Sequence, residues 1–143
     1  MIVAKSVDLF DNVELSTLTT TGKDSSVIRL GEKHKAYGAE IIGSDRSLQM
    51  GGIKLLFKGS HGITGSGKIS FEIYTGEPAD SGADTATELV DTLGPYGADE
   101  LGKVKQWDLQ GCDLKGTLKV KAKASMESAF SAGSFYLTLT TTP

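Results

Sequence analysis

The chain has 143 residues and a formal net charge of -3. This length predicts a single domain over residues 1–143, large enough to bury a stable core without metals or disulfide bonds. The mildly acidic balance disfavours binding to duplex nucleic acid, whose affinity comes largely from Lys and Arg at phosphates. No apolar run approaches the ~18 residues that span a bilayer, so we expect no membrane partner.

Alternation of apolar and polar residues predicts a series of short strands. In chain order they cover residues 2–9, 26–30, 53–57, 69–75, 103–109, 116–125 and 134–142. The clearest is GTLKVKAKAS at 116–125, where one side is apolar and the other carries threonine and lysine. Residues 126–133 are long enough for a hairpin connection to the last strand. Long glycine-rich loops separate the segments, and the whole pattern predicts an all-β sandwich or barrel.

The segment DTATELVDTLG, residues 84–94, fits two structures. Its apolar residues at positions 86, 89, 90 and 93 recur at helical spacing, with Asp84 as a suitable N-cap and Gly94-Pro95 as a stop. Its three threonines favour a strand instead. One short helix near 84–93 and a further strand therefore both remain open.

The stretch GITGSGKIS, residues 62–70, resembles a phosphate-binding loop. Such a loop needs a hydroxyl directly after its lysine and a helix that begins there. Ile69 follows Lys68, and the alternating residues after it predict a strand. We therefore interpret the glycines as positive-φ positions in a connection between two strands, and expect no nucleotide cofactor.

The cysteine and histidine content limits the chemistry further. Cys112 is the only cysteine, which excludes an intrachain disulfide, and together with His34 and His61 it falls short of four zinc ligands. Cys112 could act as a nucleophile only if the fold brought His34 or His61 to it, so we interpret Cys112 as a small packed thiol and the histidines as exposed loop residues. The first ten residues lack the apolar run of a secretory signal, so we expect synthesis in a cytoplasm.

Two further groups of residues are candidates for ligand binding. The carboxylates of EPADSGAD, namely Glu77, Asp80 and Asp84, are close enough in sequence to suit calcium, but they lack the EF-hand spacing, and a solvated loop is favoured. The aromatic residues suggest a sugar-stacking platform, although each of them also suits a core or an interface. They are Tyr37, Tyr74, Tyr96, Trp107 and Tyr136.

Charge is distributed unevenly along the chain. Every charged residue from Glu72 to Glu100 is acidic, whereas the following third is basic on balance, with a row of alternate lysines at Lys119, Lys121 and Lys123. Two solvated faces are the simpler interpretation. The alternative is a dipolar surface that orients the molecule against a partner or a second copy.

Four stretches in chain order carry a resemblance to a known family. They are VDLFDNVELSTLTTTGKDSSVIRLG (7–31), GKISFEIYTGEPADSG (67–82), LGKVKQWDLQG (101–111) and GTLKVKAKASMESAFSAGSFYLTLTTTP (116–143). Together they resemble the jelly-roll capsid cement, or decoration, proteins of short-tailed bacteriophages. Residues 27–31 are similar to the family's I-D-L-G strand, and residues 132–137 to its A-G-x-V/F-x-A-x-L motif. Arg29 departs from the family in a position where an acidic residue is usual, and Leu109-Gln110 stands in place of Leu-Pro.

The resemblance implies a jelly-roll sandwich on the outer surface of a virion, made in the host cytoplasm, with no catalysis and no cofactor. Its implied partners are the major capsid protein, whose neighbouring subunits it would bridge, and further copies of itself in a homodimer or homotrimer. A carbohydrate-binding β-sandwich module is the alternative. We predict contacts through the two strand-forming ends, whose edges invite pairing, and through the lysine row facing an acidic shell. The predicted contact residues are Ile2, Val3, Lys119, Lys121, Lys123, Phe135 and Leu137.

Overall fold

The computed structural model describes residues 5–30, 41–42, 53–77, 79, 81, 84–102, 105–109 and 114–141, which form two packed β-sheets. The four-stranded sheet contains, in spatial order, β1 (Lys5–Glu14), β10 (Ser134–Thr141), β5 (Ile53–Gly59) and β8 (Lys105–Asp108). The six-stranded sheet contains β4 (Ile41–Ile42), β3 (Ile28–Leu30), β9 (Thr117–Ala124), β6 (Lys68–Gly76) and β7 (Glu88–Gly97), with β2 (Lys23–Asp24) also paired to β9. The predicted all-β sandwich is confirmed.

The alternation of apolar and polar residues in the sequence corresponds to alternating inward and outward side chains in the strands. In β6 the residues Ile69, Phe71 and Ile73 are fully buried, and the side chains between them face outward. In β9, Val120 and Ala122 lie opposite Ile73 and Phe71 in the antiparallel register, so small residues face large ones across the strand pair. The sheets are antiparallel apart from the short β3–β4 pair, which is parallel. The core therefore lies between the two inward faces.

Strand pairing follows a nested order once the two-residue strands β2 and β4 are set aside. The first remaining strand pairs with the last, β1 with β10, in one sheet, and β3 pairs with β9 in the other. The next pair inward, β5 with β8, returns to the first sheet, and the innermost pair, β6 with β7, lies in the second. The chain thus behaves as one long antiparallel ribbon that is wrapped around the core.

The connection at 126–133 differs from its prediction. We expected a hairpin there, but β9 and β10 lie in different sheets, so this segment crosses the end of the sandwich instead. It buries Ala129 and Phe130 in the core and is tied to the 60–67 loop by backbone hydrogen bonds, including one from the Gly67 N–H to the Ala129 carbonyl at 3.0 Å. A hairpin would have left these apolar side chains in solvent.

The helical interpretation of 84–93 is wrong. Residues 88–97 form β7, and the one described α-helix, α1 (Ala98–Leu101), follows that strand; a single 3₁₀ turn covers Leu15–Thr17. A β-bulge explains the misleading spacing, because Leu89 pairs with Tyr74 and Asp91 with Ile73, which leaves Val90 unpaired between them. The bulge turns Val90 toward the core three residues before Leu93, and both pack against it. A strand with a bulge thus shows helical spacing locally.

Candidate interaction surface

The three predicted contact lysines form a row on the outer face of the six-stranded sheet, and we refer to Lys119, Lys121 and Lys123 as the lysine ridge. Their side chains are 18%, 27% and 37% exposed. The Nζ atoms of Lys119 and Lys121 lie 5.2 and 5.8 Å from the centroid of the Tyr74 ring, close enough for cation–π attraction. Because β9 alternates regularly, the ridge is in the outward position that the sequence predicted.

Carboxylates next to the ridge partly neutralise it. Asp24 on β2 lies 3.5 and 3.9 Å from the Nζ atoms of Lys119 and Lys121, and Glu72 on β6 lies 3.8 Å from that of Lys123. Glu72 also accepts a hydrogen bond from the Tyr74 hydroxyl, which raises the pKa of that phenol. Two carboxylates for three ammonium groups leave the ridge positive. Ion pairs as long and as exposed as these are weak, so a lysine can readily exchange its carboxylate for an anion of a binding partner.

The acidic stretch from Glu72 to Glu100 does not form a separate surface opposite the basic third. Strands of both stretches share the six-stranded sheet and meet there in the Lys123–Glu72 contact. Lys115, just before β9, pairs with Glu88 at an Nζ–Oε2 distance of 2.7 Å, whereas Lys105 lies on β8 in the other sheet. The interpretation as two solvated faces, one acidic and one basic, therefore does not hold for the residues of β6, β7 and β9. Adjacent strands β9, β6 and β7 mix the charges instead.

Phe135 and Leu137 are wrong as contact residues. Both are fully buried, since β10 lies between β1 and β5 and turns these side chains toward the core. The same placement removes the expected free edge at 134–142, because β10 has a hydrogen-bonded neighbour on each side. Ile2 and Val3 lie outside the described residues.

Two edge strands, β1 and β7, are poorly suited to pairing with another strand. In β1 two register shifts interrupt the ladder, Asn12 has a φ of 48°, and the outward side chains include Asp8 and Asp11. In β7 two further shifts accompany Pro95, which has no N–H to donate. Bulges, prolines and charged side chains are the devices with which native sheets limit edge pairing. At these two sides of the sandwich, outer faces and loops are the better interaction surfaces.

Asp84 has a structural role that its position in an acidic loop did not suggest. Its Oδ1 and Oδ2 atoms accept hydrogen bonds from Arg29 Nη2 and Nε at 2.6 and 2.8 Å, and Oδ1 also accepts the Ala79 N–H. Arg29 Nη2 donates a further bond to the Ala79 carbonyl. The Arg29 guanidinium holds the pKa of Asp84 below its usual value.

This ion pair changes the interpretation of two sequence features. The side chains of Arg29 and Asp84 are only 3% and 7% exposed, so Asp84 is neither the N-cap of a helix nor part of a solvated loop. Its carboxylate is already occupied, which argues against calcium there; Asp80 lies outside the described residues, and Glu77 is exposed. Arg29 holds the connection between β6 and β7 against β3.

The aromatic residues do not form a sugar-stacking platform within the described residues. Trp107 packs against Phe57 and Phe71 at centroid distances of 6.3 and 5.8 Å, and its Nε1–H donates to the Tyr96 hydroxyl at 3.0 Å. Tyr74 and Tyr136 lie on the outer faces of different sheets. Tyr37 is outside the described residues. The rings serve the core and two separate surfaces.

Buried hydroxyl groups join the strand ends at β6 and β9, a feature that the sequence interpretation missed. Thr75 donates to the Thr117 carbonyl at 2.7 Å and accepts the Lys115 N–H at 2.9 Å. The Thr117 hydroxyl lies within donor reach of the Gly76 and Thr85 carbonyls. The signal was available, since Thr75 continues the inward series of β6 at 69, 71 and 73.

Of the candidates for nucleotide or catalytic chemistry, only the GITGSGKIS stretch and His61 lie within the described residues. A strand begins at Lys68, while Gly62 and Gly65 have positive φ values of 73° and 153°, so the GITGSGKIS stretch is the strand connection that was predicted. His61 is exposed, and Cys112 and His34 lie outside the described residues. Over the part of the chain that the structure describes, no three His, Cys, Asp or Glu side chains are grouped to hold a metal ion.

Searches for similar proteins add no assignment. Family models, curated protein sequences and solved structures yield no match to this chain. Among the residues described, no helix has the length and apolar character needed to cross a membrane.

Proposed function

We propose that this chain is a structural protein of a bacteriophage virion, a cement protein with a jelly-roll fold that binds the outside of the head. The nested strand pairing carries the proposal. A jelly roll has eight main strands in two sheets, and the pairs β1–β10, β3–β9, β5–β8 and β6–β7 alternate between sheets as that architecture requires. The family resemblance implies the same architecture, so the strand pairing and the sequence motifs support one proposal.

The outer faces support an interaction role. The lysine ridge is displayed by the centre of a stiff sheet, beside Tyr74 and the half-exposed Leu89, so a partner meets a preformed surface. A ridge with surplus positive charge fits an acidic shell surface, and its contacts are expected to weaken as salt rises. Individually modest contacts suffice when many copies, as dimers or trimers, attach to an ordered lattice of major capsid protein.

The test is cosedimentation of the purified protein with expanded heads of the phage that encodes it. Replacing the lysine ridge by glutamate should sharply reduce head occupancy at physiological salt. The matched control replaces Lys54, Lys58 and Lys105, three lysines of the other sheet, and carries the same change in net charge. Unchanged occupancy of the ridge variant would remove the ridge from the proposal, and failure of the wild-type protein to bind heads would remove the function itself. A glycan array with and without a chelator separates the carbohydrate-binding alternative.

A further inference from the structure

An open polar cleft at one end of the sandwich is not used by any feature described above. It has a volume of about 310 Å³, at the small end of the range for ligand sites. Its wall comes from the end of β1, the 3₁₀ turn, the end of β5 and the entry to β10. The lining residues are Glu14, Ser16, Ser60, Ser131, Ala132, Gly133 and Ser134.

Backbone hydrogen bonds hold the cleft in shape. The Leu15 N–H donates to the Gly133 carbonyl and the Ser60 N–H to the Ser134 carbonyl, both at 2.9 Å. Gly133 has a φ of 112° and packs so closely on Ile63 that a β-carbon there would approach Ile63 Cγ1 to 2.6 Å. Leu15 beneath the turn is buried. The cleft is therefore preorganised, which lowers the entropic cost of binding.

Some polar side chains of the cleft are occupied and others are available. Ser60 accepts the Ser134 N–H and donates to the His61 carbonyl, while Ser131 bonds to Thr64. Within the described part of the chain, no hydrogen bond engages the Glu14 carboxylate or the hydroxyl groups of Ser16 and Ser134. The residues around this space therefore carry two carboxylate oxygens and two hydroxyls that have no other partner among the described residues.

We propose that this cleft binds the guanidinium group of an arginine side chain presented by a protein partner. The lining contains a single carboxylate and no Lys, Arg or His, so its charge favours a cation. A guanidinium has five N–H donors and no acceptor, which matches a set of groups dominated by acceptors, and it pairs with a carboxylate in bidentate geometry. No aromatic ring lines the cleft, so a sugar ring would find no flat apolar surface to pack against. This proposal does not depend on the virion role.

The experiment is an NMR titration of the ¹⁵N-labelled full chain with the peptide acetyl-Gly-Arg-Gly-amide. The expected result is a saturable shift confined to amides around Glu14, Ser16 and Ser134. The neutral isostere acetyl-Gly-citrulline-Gly-amide should bind about tenfold more weakly or not at all, because it lacks the charge. Glu14→Gln should weaken binding of the arginine peptide to the same extent, and Ser134→Ala by about two- to tenfold. Glu77→Gln, an exposed carboxylate that follows the far end of β6, is the matched control and should bind like the wild type.

Several outcomes would overturn the inference. Equal binding of the citrulline and arginine peptides would show that charge is not recognised. Wild-type binding by Glu14→Gln, with its spectrum showing an intact fold, would exclude the proposed carboxylate. Shifts that are absent or spread over the whole surface would show that the cleft takes no guanidinium. Displacement of the arginine peptide by glucose at equal concentration would assign the cleft to neutral polyols.

Discussion

The buried Arg29–Asp84 ion pair allows a quantitative test of how the β6–β7 connection is held. Asp84→Ala removes the acceptor of two hydrogen bonds from Arg29 and one from the Ala79 N–H. Because the Arg29 side chain is only 3% exposed, water cannot readily replace the lost carboxylate. Breaking one side of a buried pair in this way costs about 3–5 kcal/mol. A domain has only about 5–15 kcal/mol of total stability, so the variant should be severely weakened.

The assay is reversible urea unfolding of the wild type, Asp84→Ala, Arg29→Met and the double variant Arg29→Met/Asp84→Leu. Replacing both charges by apolar groups is often close to neutral, so the double variant should recover most of the stability lost by Asp84→Ala. In a thermal scan the single variant should melt roughly 6–20 °C lower, at about 2–4 °C per kcal/mol for a chain near this size.

The exposed pair between Lys115 and Glu88 supplies the control. Its side chains are 39% and 51% exposed, so Glu88→Ala should change the free energy of unfolding by at most about 1 kcal/mol. A loss below about 1 kcal/mol for Asp84→Ala, or a double variant no more stable than the single one, would refute the reasoning that burial makes this pair strong.

Three further predictions concern the core and its pH response. Phe135→Ala should lower the free energy of unfolding by about 3–5 kcal/mol, because its buried ring contacts three other phenylalanines. Tyr136→Ala on the outer face should lower it by less than about 1 kcal/mol, and equal losses in urea unfolding would contradict the placement of the two rings. Thr75→Val should lower the free energy of unfolding by about 1–3 kcal/mol, since the partly buried Lys115 N–H and the buried Thr117 carbonyl lose a partner; a neutral effect would show that they find another. The pKa of Asp84 is lowered in the folded state, so its contribution to the free energy of unfolding is present above the unfolded pKa of about 3.9 and is lost as the pH falls below that value. The stability of Asp84→Asn should therefore depend less on pH in acid unfolding than that of the wild type, and identical curves would count against the pair.

The lysine ridge shows how much of a candidate surface a sequence can predict. Outward placement of Lys119, Lys121 and Lys123 followed from alternation alone, because side chains of a strand point to opposite faces in turn. The positions of the carboxylates beside the ridge did not follow from alternation, since Asp24 reaches the ridge only through the pairing of β2 with β9. Phe135 and Leu137 failed as contacts because alternation along β10 turns their side chains toward the core. Whether the backbone of β10 is free to pair was not predictable locally, since its neighbours β1 and β5 come from distant parts of the chain.

Some features of this protein follow from the local sequence pattern, and others follow from pairing between distant segments. The sequence by itself determined the all-β class, the positions of β5, β6, β9 and β10 and the failure of the phosphate-loop resemblance, because two-residue alternation and glycine turns are properties of neighbouring residues. It left β7 open between a helix and a strand. Only the tertiary structure decided which sheet each strand joins, the bulge at Val90, the partner of Arg29 and the cleft beside Glu14. Strand pairing uses backbone groups that every residue carries, so the residues themselves do not record that Lys5 meets Thr141.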